Sequence, residues 1–209
     1  MSRVSPLYAI ADDDAARAAG WTLEALATEY LSAGARLLQI RSKRAGGGEL
    51  LRIVEAVVTR ARAAGADLVV NDRVDVMMIA GARGVHVGQT DLPPAAARAL
   101  IGADPILGFS THTRAQIDQA AHLPITYLAV GPIFETDTKD TGHPPVGLDL
   151  VRYARQVVAV PVVAIGGISL ERAQAVLDAG ADSVAVISDL LATGRPADRI
   201  AEYVTRLHV

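Results

Sequence analysis

Ala33-Gly34-Ala35-Arg36-Leu37-Leu38-Gln39-Ile40-Arg41-Ser42-Lys43 carries three signals in succession. The glycine between two alanines reads as a helix end, because glycine takes the left-handed conformation just past the last turn without a Cβ penalty. Leu37–Ile40 is a short apolar run of β type. If that strand continues, Gln39, Arg41 and Lys43 share one face, alternating with Ile40 and Ser42. The Ala-Gly-Ala triplet recurs before a strand at Gly65, Gly81 and Gly180. Working outward, apolar runs predict strands at Leu7–Ile10, Leu37–Ile40, Leu68–Val70, Gly84–Val87, Ile106–Phe109, Tyr127–Val130, Val162–Ile165 and Ser183–Ile187. The segments between them have helical periodicity; Leu50, Val54, Val57 and Ala61 fall on one face. Thr113 with Gln116 fits a capping box, and Ser169 is placed to cap the helix after it. Strands alternating with helices, without a linker or composition break, predict an α/β fold: a single-domain (β/α)8 TIM barrel over residues 1–209. A doubly wound open sheet is the rival. The strand count and the lack of G-x-G-x-x-G after the first strand weigh against it.

Composition narrows the function. Of the 209 residues, 51% are hydrophobic and 21% charged, which predicts a packed globule. There is no cysteine, so disulfides, thiolate metal sites and cysteine nucleophiles are excluded. A net charge of −3 without clustered basic residues argues against a nucleic-acid surface. No apolar run approaches the roughly 20 residues of a membrane span, and the first one ends at Asp12, Asp13 and Asp14. The expectation is a cytoplasmic protein acting on small molecules, with no nucleic-acid or membrane partner. Homo-oligomerisation is left open.

A barrel carries its active site where the strands end. The exits read Gln39-Ile-Arg41-Ser-Lys43, Asn71-Asp72-Arg73, Gly88-Gln89-Thr90-Asp91, Ser110-Thr111-His112, Gly131 to Lys139, Gly166-Gly167 and Ser188. Arg41 and Lys43 suit phosphate oxygens, one as a planar fork and one as a point charge. Lys139 adds a third cation from across the mouth. The alternative is a solvated pair of charges at a strand end. Asp72 and Asp91 follow neighbouring strands, and two carboxylates beside a phosphate site suggest magnesium. The alternatives are helix N-caps, or for Asp72 a partnership with Arg73. Gly166-Gly167, with Ile187-Ser188, forms a candidate phosphate cradle at a helix N-terminus; the alternative is a tight turn that needs glycine. His86, inside a strand, reads as a packed residue, and His112 as a mouth residue or a loop-orienting one. His122, His143 and His208 read as surface residues. Tyr8 either offers a ring to a planar ligand or fills the barrel.

These motifs, with Gly108-Phe-Ser-Thr-His-Thr113, Leu92-Pro93 after Asp91, Gly131-Pro-Ile-Phe134, Thr136-x-Thr138-Lys139 and Ile165-Gly-Gly-Ile168, resemble the thiamine phosphate synthase (thiamine-phosphate pyrophosphorylase) family, in order and over nearly the whole chain. The resemblance implies that Gln39, Arg41, Lys43, Asn71, Ser110 and Lys139 hold the aminopyrimidine diphosphate. It implies that Asp72 and Asp91 bind Mg2+, and that Thr136, Thr138, Gly167, Ile187 and Ser188 contact the thiazole phosphate, in its hydroxyethyl or carboxylated form. Arg41, Ser110 and Lys139 would carry catalysis: diphosphate leaves the pyrimidine's exocyclic methylene and the thiazole nitrogen attacks it. A second family, the thiazole tautomerases, shares the barrel and an Asn-Asp-Arg after the third strand. That resemblance implies a catalytic histidine near the Gly-x-x-Phe segment, where this chain has Pro132. The cations and Thr-x-Thr-Lys favour the synthase.

Overall fold

A computed structural model describes residues 4–136 and 144–209. Eight strands close into a parallel barrel in chain order: β1 (Leu7–Asp12), β2 (Leu37–Arg41), β3 (Asp67–Asn71), β4 (Gly84–Val87), β5 (Ile106–Thr111), β6 (Tyr127–Val130), β7 (Val162–Ile165) and β8 (Ser183–Val186). Outside them lie α1 (Asp13–Ala18), α2 (Leu23–Ser32), α3 (Gly47–Ala63), α4 (Val74–Ala80), α5 (Pro94–Ile101), α6 (Arg114–Ala120), α7 (Gly147–Val157), α8 (Leu170–Asp178) and α9 (Pro196–Leu207). A single 3-10 turn, Ser188–Leu191, links β8 to α9.

β8 pairs back onto β1, with Tyr8 opposite Ala185, so the open-sheet rival is excluded. β4, β6 and β7 occupy the predicted residues, and β8 stops one residue early, at Val186. β1, β2, β3 and β5 run past their apolar stretches. Apolar character marks burial, whereas the ladder is made by backbone. Asp12 therefore still pairs with Arg41, and Asn71 with His86.

Each predicted helix end is a Schellman turn. At Gly34, Gly65, Gly81 and Gly180 the glycine φ lies between 64° and 109°. Its N–H bonds the carbonyl three residues back, and the next alanine's N–H bonds the carbonyl five back. The N-caps are more mixed. Thr113 Oγ1 accepts from Gln116 N at 3.3 Å, but the Gln116 side chain reaches His112 N at 2.7 Å instead of Thr113. Ser169 stands at the N-cap of α8 without a side-chain cap bond; Asp189, from the 3-10 turn, takes Leu170 N at 3.2 Å.

Strand parity sorts the core into two layers. Tyr8, Ile10, Leu37, Val69, Tyr127, Ala129, Val163 and Ala185 fill the barrel. Leu7, Ala9, Leu38, Ile40 and Val70 face outward against the helices, where Leu50, Val54, Val57 and Ala61 of α3 are all buried. Gln39 and Arg41 share the inward parity of Leu37, and Asn71 that of Val69.

A chain of hydrogen bonds crosses the interior. Gln39 Nε2 donates to Tyr8 OH at 2.8 Å, Tyr8 OH meets Tyr127 OH at 3.0 Å, and Tyr127 OH meets His86 Nδ1 at 2.8 Å. His86 Nε2 then reaches Ser110 Oγ at 2.7 Å. Burial pushes both phenols above their usual range, so they remain neutral. Tyr8 thus fills the barrel, and His86 is the packed residue expected. The register sets Gly108 beside both His86 and Tyr127. A Cβ there would lie 2.1 Å from Tyr127 Cζ and 2.4 Å from His86 Nδ1. Gly108→Ala should therefore overpack the interior and cost about 3 kcal/mol. At roughly 2–4 °C per kcal/mol for this chain length, the melt should fall by about 6–12 °C. An unchanged melting temperature would show that the rings yield freely.

Among the described residues no helix is long and apolar enough to cross a membrane.

Candidate active site

The C-terminal ends of β1 to β4 gather the charges. Arg41 pairs through Nη1 with Asp12, and Lys43 through Nζ with Asp72. The side chains of Arg41 and Asp12 are 11% and 3% exposed, so this is a buried pair at the barrel rim. Asp12 also caps α1 by accepting from Ala15 N at 3.0 Å. Asp13 accepts from Ser42 Oγ at 2.7 Å and thereby ties the β2 exit to the β1 exit. The polar strand exits legible in the sequence begin at β2 and leave out Asp12. Its place directly after an apolar strand was the available signal.

Asp72 and Asp91 come together as expected, and neither is a helix cap. The N-cap of α4 is Arg73, which makes no side-chain cap bond and pairs with Asp75 at 2.5 Å. Asp91 accepts from Gly88 N at 2.8 Å within its own turn, and the N-cap of α5 is Pro93. Asp72 has a φ of 63°, a left-handed conformation uncommon outside glycine, and its N–H donates to His86 O at 2.7 Å. In that conformation its carboxyl stands near enough to that of Asp91 for each to shift the other's protonation. Burial raises Asp72 above the usual carboxylate range, with Lys43 opposing and Asp91 adding to it. Burial also pushes Asp91 upward, but Gly88 N–H, the Asp72 hydrogen bond and Lys43 outweigh it and hold Asp91 low. Two neighbouring carboxylates with Lys43 beside them make the kind of place a small cation takes.

The exits of β5 to β8 form the other half. Ser110, His112, Pro132, Thr136, Gly166, Gly167, Ile187 and Ser188 line one cavity of about 70 Å³. His112 Nδ1 bonds Gly131 O at 2.6 Å and so ties the β5 exit to the β6 exit. Gly167 has a φ of 63°, and a Cβ there would sit 2.3 Å from Glu135 O. The tight-turn reading of this glycine therefore holds, and the same bare backbone also faces the cavity. Ser110 belongs to both halves, since its hydroxyl ends the interior chain and its carbonyl accepts from Gln89 Nε2 at 2.6 Å.

Of the residues predicted from sequence, Gln39, Arg41, Lys43, Asn71, Asp72, Asp91 and Ser110 lie at or just inside one mouth with Thr136, Gly167, Ile187 and Ser188. Gln39 and Asn71 are buried. Thr138, Lys139 and His143 lie outside the described residues.

The family model described as thiamine monophosphate synthase matches residues 7–190. The chain belongs to the thiamine monophosphate synthase family. It is 43% identical to the thiamine-phosphate synthase of Koribacter versatilis over 204 residues, covering 97% of this chain and 95% of the relative. It is 42% identical to that of Chloroflexus aurantiacus over 186 residues, covering 89% and 85%. Among solved structures, the thiamine phosphate pyrophosphorylase from Pyrococcus furiosus superposes with a TM-score of 0.87 at 30% identity, covering 97% of this chain and 95% of that one. These family members carry the synthase name across almost the full chain, and the tautomerase alternative is not favoured.

Proposed function

We propose that this chain is a thiamine phosphate synthase, a transferase that joins an aminopyrimidine methyl diphosphate to a thiazole phosphate and releases diphosphate. The observation that carries the reading is the division of the mouth. Cations and paired carboxylates stand at the β1–β4 exits, and a weakly charged, glycine-lined cavity stands at the β5–β8 exits. Two anionic substrates can then lie side by side, each held at its own end.

The donor set fits Mg2+. The ion prefers oxygen and is commonly held by one or two carboxylates plus substrate phosphates and water. Asp72 and Asp91 supply two carboxylates close enough to shift each other's protonation. Among the described residues, no group of three or more acidic, histidine or cysteine side chains is placed to hold a metal unaided. When bound, the ion would neutralise charge growing on the departing diphosphate.

The protein's own residues do the rest. Arg41 and Lys43 would take diphosphate oxygens; both are engaged with carboxylates here, so they arrive preoriented. Lys139 joins them on the strength of the family resemblance. Gln39 and Asn71 would orient the aminopyrimidine. Ser110, held by His86 Nε2, offers its hydroxyl at the junction between diphosphate and pyrimidine. Thr136, Gly167, Ile187 and Ser188, with Thr138 by resemblance, would align the thiazole nitrogen. Catalysis then rests on charge stabilisation and alignment, without a strong general base.

Calorimetry tests this directly. Mg2+ should bind weakly to the free protein and about 5- to 150-fold more tightly with the pyrimidine diphosphate present, and the reciprocal gain must be equal. Protein that binds thiazole phosphate but shows no affinity for the pyrimidine diphosphate would contradict the synthase reading and support a tautomerase.

A further inference from the structure

The 3-10 turn Ser188–Leu191 sits on a cluster that the catalytic reading does not use. Asp189 accepts from Tyr203 OH at 2.7 Å and from Leu170 N at 3.2 Å. Arg199 grips it with two nitrogens, Nε to Oδ2 at 3.0 Å and Nη2 to Oδ1 at 3.1 Å. The side chains of Arg199 and Asp189 are only 12% and 16% exposed. Arg199 also meets Glu202 at 2.8 Å and Glu171 at 3.5 Å, but those carboxylates are 51% and 67% exposed and well screened. Its pKa is raised chiefly by Asp189.

The position of this cluster gives it consequence. Leu170 opens α8 just after Gly167, and Asp189 directly follows Ser188. Both Gly167 and Ser188 line the cavity assigned to the thiazole phosphate. A helix N-terminus next to a glycine loop normally offers its free N–H groups to an anion. Here one of those N–H groups is already taken by a carboxylate of the protein. A negative charge therefore stands next in the chain to Ser188 and on the first N–H of α8, behind a site meant for a phosphate, and a nearby like charge weakens anion binding.

We infer that Arg199 is a positioning residue for the phosphate cradle: it neutralises Asp189 and fixes the 3-10 turn so that Ser188 and Gly167 can receive a phosphate. The inference rests on the proposed function for the identity of the ligand. The fork grips both oxygens of Asp189, Tyr203 adds a third donor, and Leu170 N–H adds a fourth. That leaves the carboxylate little freedom to turn toward the cavity. The last helix, which contributes no residue to the cavity lining, thus sets both the charge and the shape of the cradle.

The test uses Arg199→Met, Arg199→Lys and the neutral pair Arg199→Met/Asp189→Asn. Calorimetry with hydroxyethylthiazole phosphate, inorganic phosphate and the pyrimidine diphosphate is read beside thermal melts. Arg199→Met should weaken thiazole phosphate and inorganic phosphate on the order of 10- to 100-fold, with less loss in high salt. Its affinity for the pyrimidine diphosphate should not change. Arg199→Lys should retain part of the affinity, and the neutral pair should regain most of it. Wild-type affinity in Arg199→Met would overturn the inference. So would a neutral pair that binds as weakly as the single variant, since that is the result of a merely structural role. If inorganic phosphate follows the expected pattern but the wild-type protein forms no thiamine phosphate, the cradle inference stands and the synthase reading fails.

Discussion

Asp72→Asn and Asp91→Asn should each cut turnover on the order of 100- to 1000-fold, the scale of losing one preorganised charge-stabilising group. They should also abolish the response to added Mg2+. The fold should survive. Asn is among the few residues that tolerate the left-handed backbone of Asp72, whereas Ala at φ 63° would mix strain with lost chemistry. Burial raises Asp72 above the usual carboxylate range, so the fold gains little from its charge. The melting temperature should therefore move by only a few degrees. A magnesium titration run beside the melt decides the matter. Wild-type turnover with an unchanged titration in either variant removes that residue from the metal site.

Arg41→Ala should be costly in two ways that can be separated. It removes a charge-assisted contact to the diphosphate, worth about 1.5–3 kcal/mol, or roughly 10- to 150-fold in affinity. It also leaves Asp12, 3% exposed, as a buried charge without its partner. Breaking such a pair from one side costs about 3–5 kcal/mol, which for this chain length lowers the melt by roughly 6–20 °C. Arg41→Ala/Asp12→Asn removes the stranded charge and should recover most of the stability, but none of the diphosphate affinity. Thiazole phosphate binding should stay near wild type in both variants, because that cavity is lined from β5 onward. If the double variant regains diphosphate affinity together with stability, Arg41 serves the fold and not the substrate.

The barrel was legible because each of its units repeats a local signal. Apolar runs marked the strands, Ala-Gly-Ala marked four helix ends, and period-two parity put Gln39 and Arg41 on one inward face. The carboxylate pair was legible for the same reason, since Asp72 and Asp91 each follow a strand and adjacent strands are neighbours in a barrel. What stayed hidden depends on distant partners. Asp12 sits in a run of three acids that in the sequence only ends an apolar stretch, and only the β1–β2 register puts it opposite Arg41. Gly108 looks like an ordinary strand glycine until Tyr127 and His86 close over it. Ser169 has the right type and place for a cap, yet Asp189 takes the first N–H of α8 from a segment nineteen residues on. Arg199 carries no local signal at all, because its partner is set by how α9 lies against the 3-10 turn. Thr138 and Lys139 rest on the sequence motif.

The most direct test of the central claim is product formation by purified protein given both substrates. With Mg2+, the aminopyrimidine methyl diphosphate and hydroxyethylthiazole phosphate, the account predicts thiamine phosphate and diphosphate in equal amounts. Both products should disappear when the metal is chelated or either substrate is left out. Diphosphate released without thiamine phosphate, or no turnover of a protein that binds both substrates, would contradict it.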